Sequence, residues 1–216
     1  MSANPTSAQL QAPRLQAPRH RLRRWNGGQA ERADLQAQAA MENGALHLNF
    51  RLLWTPDGWP LQLPPSLGCS TNPPQRADGL WQHTCFEAFI APVGSSAYWE
   101  FNLSPAGDWN VYRFDDYRAG QRMETAYQCL PLRVSGPQAA PPDAHGRLPE
   151  PSDLLELDLC CSLPPDLRES LPEGTGLELG LTAVLEQRGG ELSYWALTHP
   201  GPEPDFHDRR GWSLRL

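Results

Sequence analysis

The chain is expected to be all-β, an antiparallel β-sandwich of roughly eight to ten strands. Three observations support this. Runs of strand length, rich in aromatic and β-branched residues, recur from Leu35 onward. They are separated by hairpin-length turns built from Gly, Asn, Pro and Ser. With 23 Pro and 18 Gly among 216 residues, no long uninterrupted amphipathic helix can be read anywhere. Short strands hairpinned in sequence bury their apolar faces most simply by packing two sheets together.

Residues 1–24 are polar and Arg-rich, with a tandem Leu-Gln-Ala-Pro-Arg at 10–14 and 15–19. They read as a disordered tail outside a domain spanning 35–216. The Arg cluster there is a solvated feature or a contact for an acidic partner. Leu35–Met41 and Ala45–Trp54 flank Glu42-Asn43-Gly44, a strong hairpin signal because Asn and Gly both accept positive φ. Thr55–Pro74 reads as a Pro-rich loop with one short strand at Leu61–Leu63. Three strands follow, Cys85–Ile90, Tyr98–Leu103 and Trp109–Phe114, forming a meander. Beyond it, Leu130–Val134 reads as a strand and Ser135–Pro151 as a surface loop. In Asp153–Leu159, Leu alternates with Glu and Asp, the pattern of a half-buried strand. Pro164–Leu171 suits one helical turn, and Leu177–Glu186 with Glu191–Thr198 form a last hairpin.

The turns suggest a register for the meander. Centring the first on Val93 and Gly94 sets Phe86 opposite Phe101 and Ala88 opposite Trp99, with Glu87 facing Glu100. Centring the second on Ala106 sets Leu103 opposite Trp109, Asn102 opposite Asn110 and Glu100 opposite Tyr112. Side chains alternate strictly along a strand, so the register partitions the meander into an apolar face and a polar one. The polar face carries Glu87, Glu100, Asn102, Asn110 and Tyr112, with Trp81 and Trp109 at its edge.

Composition narrows the function. A net charge of −7 argues against general nucleic-acid binding, which needs a positive field. No apolar run approaches the ~20 residues of a membrane span, and the N-terminus lacks a secretory core, so a cytoplasmic location is expected. All 18 basic residues are Arg, as a biased genome composition would produce. The five cysteines, Cys69, Cys85, Cys129, Cys160 and Cys161, show no metal-ligand spacing and read as reduced thiols.

Asp78-Gly79-Leu80-Trp81, Thr84-Cys85-Phe86-Glu87-Ala88-Phe89 and Tyr98-Trp99-Glu100-Phe101-Asn102-Leu103-Ser104-Pro105-Ala106-Gly107 together resemble the DOMON-like superfamily. Within it they are similar to family 9 carbohydrate-binding modules. The closing Tyr194-Trp195-Ala196-Leu197-Thr198-His199-Pro200 and Pro204-Asp205-Phe206-His207 resemble the ends of small uncharacterised bacterial proteins of that group. The resemblance covers roughly Leu35 to Leu216. It implies a sandwich of jelly-roll or immunoglobulin-like type whose relatives bind sugars, haem or other small ligands.

Sugars are held by aromatic rings against their C–H faces and by planar polar groups that bond their hydroxyls. Trp81, Glu87, Glu100, Asn102, Trp109, Asn110 and Tyr112 are the candidate ligand-binding residues, whereas Trp99 belongs to the core face. Opposed Glu87 and Glu100 repel unless they share a proton, hold Arg113 or Arg118, or meet a ligand. Two carboxylates also serve glycosidases, but nothing else in the chain suggests hydrolysis, and the reading is non-catalytic. Calcium would have Asp78, Asp108, Asp115 and Asp116, without the regular spacing of a dedicated loop. Haem would need Met123 with His199 or His207, and no attachment motif accompanies them. The expected ligand is a small polar molecule, a saccharide before others. The competing reading is a structural or interaction domain without ligand.

Overall fold

A computed structural model describes residues 15–27, 33–54, 61–64, 67, 74–136, 154–171 and 175–216. In chain order the strands are β1 (His20–Arg21), β2 (Arg23–Arg24), β3 (Ala33–Glu42), β4 (Ala45–Trp54), β5 (Cys85–Pro92), β6 (Tyr98–Leu103) and β7 (Trp109–Phe114). They continue with β8 (Arg122–Met123), β9 (Arg133–Ser135), β10 (Leu154–Ser162), β11 (Leu177–Glu186), β12 (Leu192–Ala196) and β13 (Leu214–Arg215). One short helix, α1 (Pro165–Glu169), follows β10. The strands form two antiparallel sheets, the predicted β-sandwich. The smaller runs β1-β3-β4-β10-β9 and the larger β2-β12-β11-β5-β6-β7-β8, with β13 also pairing β11.

The core lies between the sheets. Leu46, Leu48, Phe50 and Leu52 of β4 and Leu155, Leu157 and Leu159 of β10 point inward from the smaller sheet. Phe86, Ala88 and Ile90 of β5, Trp99 and Phe101 of β6, and Leu179 and Leu181 of β11 meet them from the larger one. Phe50 and Phe86 touch across the layers, ring centroids 5.5 Å apart. The Asn43-Gly44 hairpin forms as expected, both residues at positive φ.

The tail expectation needs correction. Residues 1–14 lie outside the described residues, but residues 20–24 are built into both sheets. β1 pairs with β3 in the smaller sheet and β2 with β12 in the larger. Leu22 between them is fully buried, and its N–H donates to the Leu35 carbonyl at 2.8 Å. The segment stitches the two layers at one edge. Two-residue strands carry no periodicity, so a polar, Pro-broken composition hides them.

The meander register is half as expected. β6 and β7 pair as predicted, Leu103 with Trp109 and Asn102 with Asn110. β5 and β6 are shifted by two residues, so Phe86 faces Leu103, Glu87 faces Asn102 and Phe89 faces Glu100. The turn does centre on Val93 and Gly94, with the Ser95 N–H donating to the Pro92 carbonyl. Ser95 and Ser96 then loop out before β6 begins. The Ser96 hydroxyl donates to the Asp115 carbonyl, and Arg209 donates to the Ser95 carbonyl, which holds the longer loop. An even shift leaves every side chain on its predicted face. Glu87 and Glu100 are therefore diagonal neighbours, not directly opposed.

Other differences are small. Leu61–Leu63 contributes an isolated bridge to Gln187, not a strand, and β9 is shorter than the predicted Leu130–Val134. Most of the predicted loops at Thr55–Pro74 and Ser135–Pro151 lies outside the described residues.

β5 is buried along its whole length, so the larger sheet is covered on both faces. The second cover is the C-terminal segment. It leaves β12, crosses the outer face through Phe206 and His207, and returns as β13. Trp212 packs against the sheet where β11 offers Gly180, and a Cβ there would meet Trp212 Cδ1 at 2.5 Å.

Truncating Leu22 to Ala should destabilise the protein by about 2–4 kcal/mol, the cost of emptying a closed aliphatic site. Chemical denaturation measures this. An unchanged midpoint would return residues 20–24 to the status of a loose tail.

Candidate functional site

The outer face of the larger sheet holds a cavity of about 510 Å³. Its floor is Glu87 and Glu100, and Phe89, Phe114, Tyr194 and Phe206 form apolar walls, with Trp81 at the mouth. Alternation puts the carboxyls there: with Phe86 and Phe101 committed to the core, Glu87 and Glu100 must point outward.

Trp81 is presented by a short 3-10 turn, Leu80–Gln82, entered through Gly79 at φ 72°. Asp78 anchors this turn, its Oδ1 accepting from Tyr112 Oη at 2.7 Å and Asn110 Nδ2 at 2.9 Å. The indole, 38% exposed, stands edge-on to Tyr112 with centroids 5.7 Å apart. Asn110 and Tyr112 thus act as internal supports. Asn110 Oδ1 accepts from Arg76 Nη1 at 2.7 Å, and its Nδ2 also donates to the Ala77 carbonyl at 3.1 Å.

Trp109 is corrected. It is 1% exposed and belongs to the core face, with the Arg76 guanidinium over its ring at 4.4 Å. Its place opposite Leu103 in the register puts it inside, so nearness to a turn misled the expectation. Trp99 packs in the core as expected, its indole N–H donating to Glu124 Oε2 at 2.9 Å.

The two carboxyls differ. Glu87 is 2% exposed; Thr182 Oγ1 donates to its Oε2 at 3.3 Å, while Oε1 has no hydrogen-bond partner among the described residues. Burial, then repulsion from Glu100, pushes its pKa well above the usual carboxylate range. Glu100, 5% exposed, accepts from Asn102 Nδ2 at 2.7 Å. Burial raises it to about 7, against the downward pull of the Asn102 bond and the Arg118 charge. Asn102 Oδ1 in turn takes the Cys85 thiol at 3.5 Å. Neither Arg113 nor Arg118 pairs with these glutamates: Arg113 bonds Asp166, and Arg118 bonds Asp205 at 2.8 Å.

His207 closes the cavity, its ring edge-on to Phe89 and Phe114 at 5.1 Å each. Burial, then the Arg118 charge, lowers its pKa to about 4. Tyr98 Oη lies 2.7 Å from His207 Nδ1 and accepts from the Arg118 N–H at 3.2 Å. On its other side, His207 Nε2 lies 3.8 Å from Glu100 Oε2. That separation is too long for a hydrogen bond.

The sequence reading located both carboxyls and Trp81 but missed Tyr194, Phe206, Thr182 and the anchoring role of Asp78. Nothing local in the chain shows that 199–213 folds back over the sheet.

The aspartates weighed for calcium are committed separately. Asp78 holds Tyr112 and Asn110, Asp108 accepts from the Gln75 N–H, Asp115 pairs with Arg122, and Asp116 accepts from the Tyr117 N–H. Among the described residues no three His, Cys, Asp or Glu are grouped to hold a metal. Of the haem candidates, Met123 stands half-exposed on β8. The His199 imidazole bonds the Arg23 carbonyl at 2.8 Å, and His207 bonds Tyr98.

No family model matches the chain, and no curated protein matches it. Solved structures do. A proposed carbohydrate-binding protein from Bacteroides uniformis is 13% identical with a TM-score of 0.56, over 91% of this chain and 84% of that one. A family 9 carbohydrate-binding module from Caldicellulosiruptor kristjanssonii appears twice. In complex with cellotriose it is 11% identical, TM-score 0.41, over 86% of this chain and 75% of that one. In complex with glucose it is 12% identical, TM-score 0.38, over 77% and 68% respectively. The first of these shares the fold.

Two variants test the geometry. A carboxyl whose folded pKa is raised binds its proton more tightly in the native state, so it costs stability as pH climbs above the unfolded value. Glu87→Gln should match wild type near pH 4.5 and be the more stable of the two at pH 8, because burial and Glu100 raise the Glu87 pKa. Denaturation at both pH values reads the difference, and a variant less stable at pH 8 would mean Glu87 is charged and paired. Gly180→Ala should lift Trp212 from the sheet and cost about 1–3 kcal/mol. Loss of near-ultraviolet tryptophan dichroism would accompany it, and a neutral result would place the indole elsewhere.

Proposed function

We propose that this protein binds a small saccharide, without catalysis, in the cavity on the outer face of its larger sheet. The observation that carries the reading is Glu87 Oε1, a buried carboxyl oxygen without partner, on the floor of an aromatic-walled cavity. Leaving such an atom unmade costs free energy, and a ligand hydroxyl would recover it. The rings of Phe89, Phe206 and Tyr194 would take the ligand's C–H faces, and exposed Trp81 would close over it. The volume suits one or two sugar rings. The fold shared with the Bacteroides protein is consistent with sugar binding, but fold-level likeness is weak support for a ligand.

The carboxyls are poor candidates for glycoside hydrolysis. Glu87 and Glu100 rise from adjacent strands at the bottom of a walled cavity, where hydrolysis needs them flanking a bond. As binding groups they need no such access.

Calorimetric titration with mono- and disaccharides is expected to show binding to wild type. Trp81→Ala should weaken it about tenfold, a stacking loss of roughly 1–1.5 kcal/mol, with stability nearly unchanged. Unaltered affinity in this variant would move the ligand away from the cavity.

A further inference from the structure

The floor of the cavity holds two carboxyls, with Arg118 and His207 also in the lining. Glu87 rises from β5 and Glu100 from β6, one diagonal step apart. Around Glu87 lie Thr182 of β11, the Cys85 thiol of its own strand and Glu100. Around Glu100 lie Asn102, Tyr112, Tyr98, His207 and Arg118. Two of these groups could supply positive charge, and both are committed. Arg118 is bonded to Asp205 at 2.8 Å, which offsets part of its charge. Tyr117 Oη also donates to Asp205 at 2.5 Å, which strengthens the hold on that carboxylate. His207 Nδ1 is hydrogen-bonded to Tyr98 Oη and the ring is wedged among Phe89, Phe114 and Tyr98, where an imidazolium would be desolvated.

A neutral sugar would use this floor incompletely. Hydroxyls would bond the carboxyls in their protonated form, and the capacity of the pair to ionise would go unused. An ammonium group is the complementary occupant. It has three donors and no acceptor, enough for Glu87 Oε1 and for Glu100. Its charge would let both carboxyls ionise, and the ring walls would favour it through their quadrupoles.

Building on the saccharide reading above, we propose that the ligand carries a protonated amine, an amino sugar, with its ammonium group seated between Glu87 and Glu100. Binding then displaces the carboxyl protons into solvent. Recognition runs through charge at the floor, while the aromatic walls hold the ring.

The test is calorimetric titration of the full chain with glucosamine, galactosamine and mannosamine. Glucose, galactose, mannose and N-acetylglucosamine are neutral controls, and methylamine is the cation without a ring. At least one amino sugar should bind tenfold or more tightly than its neutral parent at pH 7. Its heat should vary with the ionisation enthalpy of the buffer, the mark of proton release, and its affinity should fall toward pH 5. Glu87→Gln, its folding checked by circular dichroism, should bring the ratio between amine and parent close to one. If the neutral sugars bind as well as the amines, without proton release, the amine assignment fails and the saccharide reading stands. If methylamine binds as tightly as the amino sugars, the sugar ring contributes nothing and the saccharide reading fails. If no member of the panel binds at millimolar concentration, both fall.

Discussion

The contact between Trp212 and the bare backbone of Gly180 governs how the outer face of the larger sheet is covered. A sheet in a sandwich normally leaves its outer face to solvent. Here β5 is buried from end to end, because the last fifteen or so residues fold back and lie on it. The indole can come that close only where β11 has no side chain. Its N–H donates to the Phe206 carbonyl at 2.9 Å, which ties the returning segment to itself. Arg209 bonds Glu178 of β11, and β13 joins the same strand at Leu179, so the cover is fastened at three places. The cavity is the space this cover leaves over β5 and β6.

Closing that face changes what its polar residues experience. In an open sheet Glu87 and Glu100 would be solvated and ordinary. Under Phe206 and His207 they lose water, and the favoured response is to keep their protons. The surrounding side chains are arranged around neutral groups: a neutral imidazole held by Tyr98, a thiol on Asn102, and an arginine balanced by Asp205. The face is strained electrostatically without being open to water.

Much of this was legible in the chain. Alternation is local, so the division of Cys85–Phe114 into an apolar and a polar face could be read directly, and it survived a two-residue error in register. The Asn-Gly hairpin, the strands Ala45–Trp54, Tyr98–Leu103, Trp109–Phe114 and Leu177–Glu186, and the helical turn after β10 follow from short-range rules. Trp81 could be placed at the edge of the polar face from its nearness to a turn, although the reason for its position, the Asp78 anchor on Asn110 and Tyr112, was not visible.

Long-range closure was not written in any local pattern. The extra loop residues at Ser95 and Ser96 are held by Asp115 and Arg209, partners distant in sequence. Residues 20–24 become strands only because the edges of two sheets meet there, and Leu22 is buried by neighbours its own segment does not supply. Trp109 and Trp81 are equally aromatic and equally near turns. One is core and the other lines the cavity, because a register position and a glycine-led turn aim them differently. Faces, turns and most strands follow from side-chain period and backbone sterics, which act over a few residues. Which face is roofed, and which carboxyls lose their water beneath the roof, depends on contacts between the C-terminal segment and strands distant in sequence, and could be decided only by the folded packing.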